Sequence, residues 1–258
     1  MTPADSLARD PASGQPARSD AAPRGGMLVR RHRLSTRLWH WLNLVTLTIM
    51  LMSGLMIFNA HPRLYWGAYG ANRDHAWLQL PRFPGWATLP SSYSLADARI
   101  WHLAFAWVLA LALLGYLLRS LRNGHIRRDL HITAAEWRPA HLWRDVVDHA
   151  RLRFPAGAAA LRYNVLQKLA YCGVLFGLLP LVILTGLTMS PGLNAALPWL
   201  LDLFGGRQSA RSLHFLAAAG LVLFALVHVT MVVLAGPVNE LRSMITGWYR
   251  LPRERSHD

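Results

Sequence analysis

The feature that most constrains this chain is the separation of its charge from four long uncharged runs. Leu38 to Ala60 carries no charged residue apart from the titratable His40, and Ile100 to Leu118 none apart from His102. Leu169 to Leu201 lies between Lys168 and Asp202, and Ser212 to Asn239 lies between Arg211 and Glu240. Each run exceeds the roughly 18 residues that a bilayer-spanning helix needs. The expected fold class is therefore an all-α membrane protein, a four-transmembrane-helix bundle with spans at about 38–59, 100–118, 166–189 and 212–235.

The formal charge of +14 then reads as topology. If the N-terminus is cytoplasmic, residues 1–37, 119–168 and 240–258 lie inside and hold 21 of the 27 Lys and Arg residues. That asymmetry follows the positive-inside rule, so both termini are expected to be cytoplasmic. The basic segments suit anionic lipid, and nucleic acid is a poor explanation for them. Of the 27, only Lys168 is a lysine. This bias fits a GC-rich bacterial genome, and a bacterial inner (cytoplasmic) membrane is the expected location, with the chain multi-pass. The single cysteine, Cys172, excludes an internal disulfide, a CxxCH haem attachment, a thiolate iron–sulfur cluster and a zinc finger.

Residues 1–29 are rich in Ala, Pro, Ser, Gly and Arg without apolar periodicity and read as a disordered cytoplasmic arm, with Met27 a second possible start. A signal peptide competes here, but the apolar run that follows is too long and lacks a small-residue cleavage site. The membrane domain covers 30–250 and a short cytoplasmic tail 251–258. The loop from His61 to Ala98 holds seven Tyr, Trp and Phe residues among four prolines. It reads equally as an interfacial aromatic belt and as a docking platform for an extracytoplasmic partner. In "HLWRDVVDH", His141, Asp145 and His149 could bind a metal, but a surface amphipathic helix is the stronger reading. The segment 239–258 suggests another surface helix and tail. "MSGLMIF" (52–58) weakly echoes "LTGLTMS" (184–190) near the outer ends of spans one and three.

Ionisable groups inside spans are costly and mark function. Four histidines qualify: His40, His102, His214 and His228. The last two enclose thirteen apolar residues, "FLAAAGLVLFALV". Fourteen helical residues rise about 21 Å and complete nearly four turns, so both imidazoles leave one face at two depths. A proton relay would want polar residues between them; two separate metal ligands would not. Gly220 and the small residues before it suggest room for a bulky group against the backbone. In antiparallel order, His102 meets His214 and His40 meets His228 at matched depth. Facing imidazoles from two helices are what a six-coordinate b-type haem requires. "RLWH", "RIWH" and "RSLH" place Arg37, Arg99 and Arg211 one turn nearer the surface than a histidine. There they could pair with haem propionates, or simply snorkel.

With these residues in view, "RLSTRLWHWLNLVTLTIMLMSGLMI" closely resembles the opening of the bacterial di-haem cytochrome b561 and nickel-hydrogenase cytochrome b subunit family. The cytochrome b subunits of formate dehydrogenases are related to it. The resemblance spans about residues 30–250. It implies two haem b groups stacked across the bilayer, the inner one on His40 and His228 and the outer one on His102 and His214. It further implies electron transfer between the quinone pool and an extracytoplasmic redox subunit of molybdenum-enzyme or hydrogenase type. It draws attention to "RYNVLQKLAY", where Asn164, Gln167 and Lys168 are quinone candidates, although ordinary helix capping explains each of them as well. Two other readings stay open: a stand-alone quinol:superoxide oxidoreductase, and a non-haem membrane transporter or assembly factor.

Overall fold

The structure, a computed structural model, describes residues 26–124, 126–151 and 164–251. Four helical stretches are long and apolar enough to cross a membrane: Leu34–Asn59, Leu95–Arg122, Val165–Met189 and Arg207–Ala235. The first, second and fourth are single α-helices, α1 (Leu34–Asn59), α2 (Leu95–Arg122) and α8 (Arg207–Ala235). They outrun the expected spans at several ends, because polar and basic residues that cannot enter hydrocarbon still continue a helix in the headgroup layer.

Local chemistry sets the boundaries. At the start of α2 the Ser94 hydroxyl accepts from Asp97 N at 3.3 Å, and Arg119 and Arg122 complement the dipole in its last turn. α8 stops at Gly236, whose φ of +111° favours glycine, and Pro237 at once opens α9 (Pro237–Thr246). The third span is composite. α4 (Val165–Cys172) passes through a π-helical turn, Gly173–Leu178, into α5 (Leu179–Met189). Pro180 has no N–H, and its ring crowds the carbonyl four residues back; the widened turn before it relieves that clash. Two short helices, α6 (Pro191–Ala196) and α7 (Pro198–Leu203), then lead to α8.

α1 packs chiefly on α2, and α5 on α8. A buried cluster of Leu109, Leu113, Leu130, Leu175 and Leu179 joins α2 to the third span. Elsewhere small polar residues line the helix contacts: Thr46, Ser53, Thr185, Thr188 and Ser212 are all buried. Without a hydrophobic force between helices in lipid, such residues let backbones approach closely.

Both described ends of the chain meet. β1 (Leu28–Arg30) pairs antiparallel with β4 (Trp248–Arg250), Leu28 opposite Arg250. This side of the bundle is the terminal side; the other is the loop side. Leu28 and Val29 of the expected arm over 1–29 are thus paired in a strand, and Leu251 of the expected tail is buried. Residues 1–25 and 252–258 of the arm and tail lie outside the described residues. The expected surface helices are present as α3 (Pro139–Ala150) and α9. In α3 the His141 and Asp145 side chains stand 3.9 Å apart, and the side chain of His149 lies outside the described residues.

On the loop side, β2 (Arg63–Leu64) and β3 (Leu78–Gln79) form a small hairpin. Trp77 Nε1 donates to Ser212 Oγ at 3.0 Å, and Ser212 Oγ donates to Tyr65 O at 2.6 Å. Arg211 donates to Arg63 O at 2.8 Å and also to His61 O. The loop is thus folded onto the start of α8, while Tyr69, Trp86 and Tyr93 project outward, each at least 65% exposed.

Candidate functional site: two imidazole pairs

The four spanning histidines meet in two pairs. His102 of α2 faces His214 of α8 with ring centroids 6.1 Å apart and an interplanar angle of 62°. His40 of α1 faces His228 of α8 at 6.2 Å and the same 62°. α8 supplies one member of each pair, so their depths differ by about 21 Å.

The spacing has a chemical meaning. Two imidazoles on opposite sides of one metal atom, each bonded at about 2 Å, put their ring centroids roughly 6 Å apart. Among the described residues no three His, Cys, Asp or Glu side chains cluster as a metal site. A pair of nitrogens is a poor cage for a bare ion, but it completes the sphere of a metal that brings four equatorial donors of its own. Haem b is such a group, and the residues present fit it.

The loop-side pair is supported further by residues not singled out as candidates from the sequence. Ser53 Oγ on α1 lies 3.1 Å from His102 Nδ1, and Thr185 Oγ1 on α5 lies 3.1 Å from His214 Nδ1. The next residue in each helix is glycine. A Cβ on Gly54 would stand 3.3 Å from His102 Cε1, and one on Gly186 would stand 3.3 Å from His214 Cε1. The weak echo between 52–58 and 184–190 was the signal: it marks one hydroxyl–glycine step built twice. α1 with α2 and α5 with α8 are therefore two copies of one arrangement, with His102 and His214 facing each other between them. The duplication fails on the terminal side. His228 stands fourteen residues after His214, but fourteen after His102 stands Tyr116, stacked on Trp39 at 4.5 Å. A single pair is left there, His40 with His228.

The arginines have separate fates. Arg37 donates from Nε to Met244 O at 3.3 Å and from Nη2 to Ile245 O, so it closes the C-terminus of α9. Arg211 holds the loop-side hairpin through both Nη atoms. Arg99 is exposed and makes no hydrogen bond or ion pair among the described residues. Within the protein the three share no common partner, because tertiary neighbours supply only Arg37 and Arg211 with main-chain carbonyls. Gly220 also differs from expectation. Leu178 fills the space beside it, 3.1 Å from where a Cβ would stand.

The start of the third span is held internally. Asn164 Oδ1 accepts from Gln167 N at 2.8 Å, and Gln167 Oε1 accepts from Asn164 N at 3.3 Å, a reciprocal capping box. Lys168 Nζ reaches Glu136 Oε1 at 2.7 Å and His131 O at 3.1 Å. The Lys168 hydrogen bond, helped by the Thr133 amide, pulls the Glu136 carboxyl down to about 2. Near the start of α1, burial first and the Arg31 charge second hold His32 at about 4, so it is neutral near pH 7.

Paired imidazoles at two depths of a four-helix membrane bundle define a class, that of membrane proteins able to hold a metal–porphyrin group between helices. The chain belongs to the prokaryotic cytochrome b561 family, whose sequence model matches residues 31–247. It is 29% identical over 214 residues to a protein of Azospira oryzae that carries the name protein-methionine-sulfoxide reductase subunit YedZ1, covering 82% of this chain and 93% of the relative. It is 25% identical over 233 residues to a protein of Azotobacter vinelandii named as a Ni/Fe-hydrogenase B-type cytochrome subunit, covering 85% and 87%. It is 27% identical over 227 residues to a cytochrome of Escherichia coli named YdhU, covering 87% and 76%. The protein is accordingly a haem-b electron-transfer subunit, multi-pass in the bacterial inner membrane.

Proposed function

We propose that the protein binds two haem b groups, one between His102 and His214 and one between His40 and His228. Through them it would carry electrons across the bilayer between the quinone pool and an extracytoplasmic redox subunit. The observation that carries this reading is the near-identity of the two pairs, 6.1 and 6.2 Å between centroids at the same 62°. When bound, haem b supplies one-electron chemistry. The protein would supply the imidazole nitrogens that hold it, a fixed separation and a low-dielectric surround.

Charge topology supports an orientation with the terminal side cytoplasmic and the loop side extracytoplasmic. The folded aromatic loop then faces the redox partner. The names of the hydrogenase and methionine-sulfoxide reductase relatives support an oxidoreductase catalytic subunit as that partner, and the reading takes it to be of hydrogenase or molybdenum-enzyme type. Quinone is exchanged at the terminal side. There Asn164 and Gln167 serve first as a helix cap and Lys168 as the partner of Glu136, so their part in quinone binding is to shape the site.

The test is the visible spectrum and haem content of the purified full chain. Dithionite reduction should give a low-spin b-type α band with two haems per chain. One haem per chain, or a colourless folded protein, would refute the reading.

A further inference from the structure

The two imidazole pairs have the same ring geometry but different surroundings. On the loop side each Nδ1 faces a buried hydroxyl whose own proton is engaged elsewhere. Ser53 Oγ donates to Ile49 O at 2.7 Å, and Thr185 Oγ1 donates to Leu181 O at 2.6 Å. Such back-bonding is common in membrane helices and means little alone. Here it fixes direction: a hydroxyl that gives its proton to the helix can only accept from the imidazole. Met50 O, an obligate acceptor, also lies 3.1 Å from His102 Nδ1. Both loop-side histidines are therefore set with Nδ1 protonated and Nε2 bare.

On the terminal side no hydrogen bond to a ring nitrogen of His40 or His228 occurs among the described residues. Their ring neighbours are aromatic, and the Glu240 carboxylate, whose charge acts on His228, is already paired with Arg31 at 3.2 Å. Trp41 lies edge-on to His40 at 5.4 Å, and Phe224 stacks on His228 at 6.0 Å.

Resting on the di-haem reading, we infer that Ser53 and Thr185 are positioning residues that orient the loop-side ligands and make the loop-side haem the lower-potential one of the two. An acceptor on Nδ1–H draws the proton away from the ring and makes Nε2 more basic. A more basic axial ligand favours the ferric over the ferrous iron, and potential falls. The terminal-side ligands receive no such support. Gly54 and Gly186 belong to the same device, since a side chain at either position would press on the ring that the hydroxyl aligns.

The experiment is a spectroelectrochemical titration of the full-length, haem-loaded protein, with His40→Ala used to leave only the loop-side haem. That remaining haem should titrate at the lower of the two native potentials. T185V should raise it by up to about 59 mV, a tenfold change in a one-electron reduction equilibrium, and S53A by less, because Met50 O still accepts from His102 Nδ1. S53T and T185S, which keep the hydroxyl, should stay near the native value, and with His40 intact the hydroxyl-free variants should leave the terminal-side potential where it is. If the His40→Ala protein retains the higher potential, the inference is wrong. Hydroxyl-free variants that load haem at unchanged potentials, or that shift both haems equally, would also overturn it. Failure of the di-haem reading looks different: the unsubstituted protein would already lack a second b-type signal.

Discussion

Lys168 Nζ stands 2.7 Å from Glu136 Oε1, which ties the start of the third span to the segment preceding α3. Glu136 titrates at about 2, against 4.5 for a free glutamate, because it accepts from Lys168 and Thr133. A carboxyl with a depressed folded value stabilises the fold above its unfolded value and loses that contribution as pH falls. The loss should therefore run from about pH 4.5 down to about pH 2. Both groups are partly solvated, so the pair contributes roughly 0.5–1 kcal/mol. Melting temperature in detergent, followed against pH, should fall across that window, and Glu136→Gln should flatten the fall. An unchanged acid profile in the variant would show that the pair does not set it.

His102→Ala and His40→Ala should each remove a different haem. Each variant should keep its helical circular dichroism and hold one haem per chain. Loss of both haems from either variant with helices intact would contradict the pairing.

Gly54→Ala and Gly186→Ala should disturb only the loop-side pair. The added methyl would meet His102 Cε1 or His214 Cε1 at 3.3 Å, tight enough that the ring must give by a few tenths of an ångström. Overpacking of this kind costs about 1–3 kcal/mol and tilts the ligand plane. Gly115 is the control, because a Cβ there meets nothing within 4 Å. Gly115→Ala should load both haems normally and gain up to about 1 kcal/mol of helix propensity. Electron paramagnetic resonance of the oxidised haems separates the cases. Equal spectra for all three variants would rule the cradle out.

Arg211→Gln should loosen the loop-side hairpin while leaving the bundle in place. The guanidinium holds the carbonyls of His61 and Arg63, and hydrogen bonds to charged groups contribute roughly 1.5–3 kcal/mol each. Amide hydrogen exchange over residues 61–67 should speed up at least tenfold, with exchange in α8 beyond His214 unchanged. Native protection of the loop in the variant would mean that Ser212, Trp77 and Ser209, whose Oγ accepts from Gly67 N at 2.7 Å, hold it without help.

Much of this arrangement was legible in the sequence. The spans follow from charge segregation, and the histidine pairs follow from their depth in an antiparallel order. Ser53 and Thr185 were hidden because a hydroxyl in a membrane helix ordinarily bonds its own backbone. Only the rotational setting of α1 against α2, and of α5 against α8, turns that hydroxyl toward a ring. The β1–β4 pairing spans three residues a side, too short for a periodicity to show. The partners of the arginine frames were hidden for a related reason. Spacing along one helix fixes a side chain's height, whereas the carbonyls that Arg37 and Arg211 meet come from distant parts of the chain.

The clasp at the terminal side has a temporal consequence. Arg37 and Trp41 near the start of α1 are covered by the Met244 and Ile245 carbonyls, and Arg31 pairs with Glu240 at 3.2 Å. Roughly 200 residues separate the two partners, so at ribosomal speed the cover arrives some ten to forty seconds after α1 has been made. Until then the first turns of α1, which carry His40, stand without that cover.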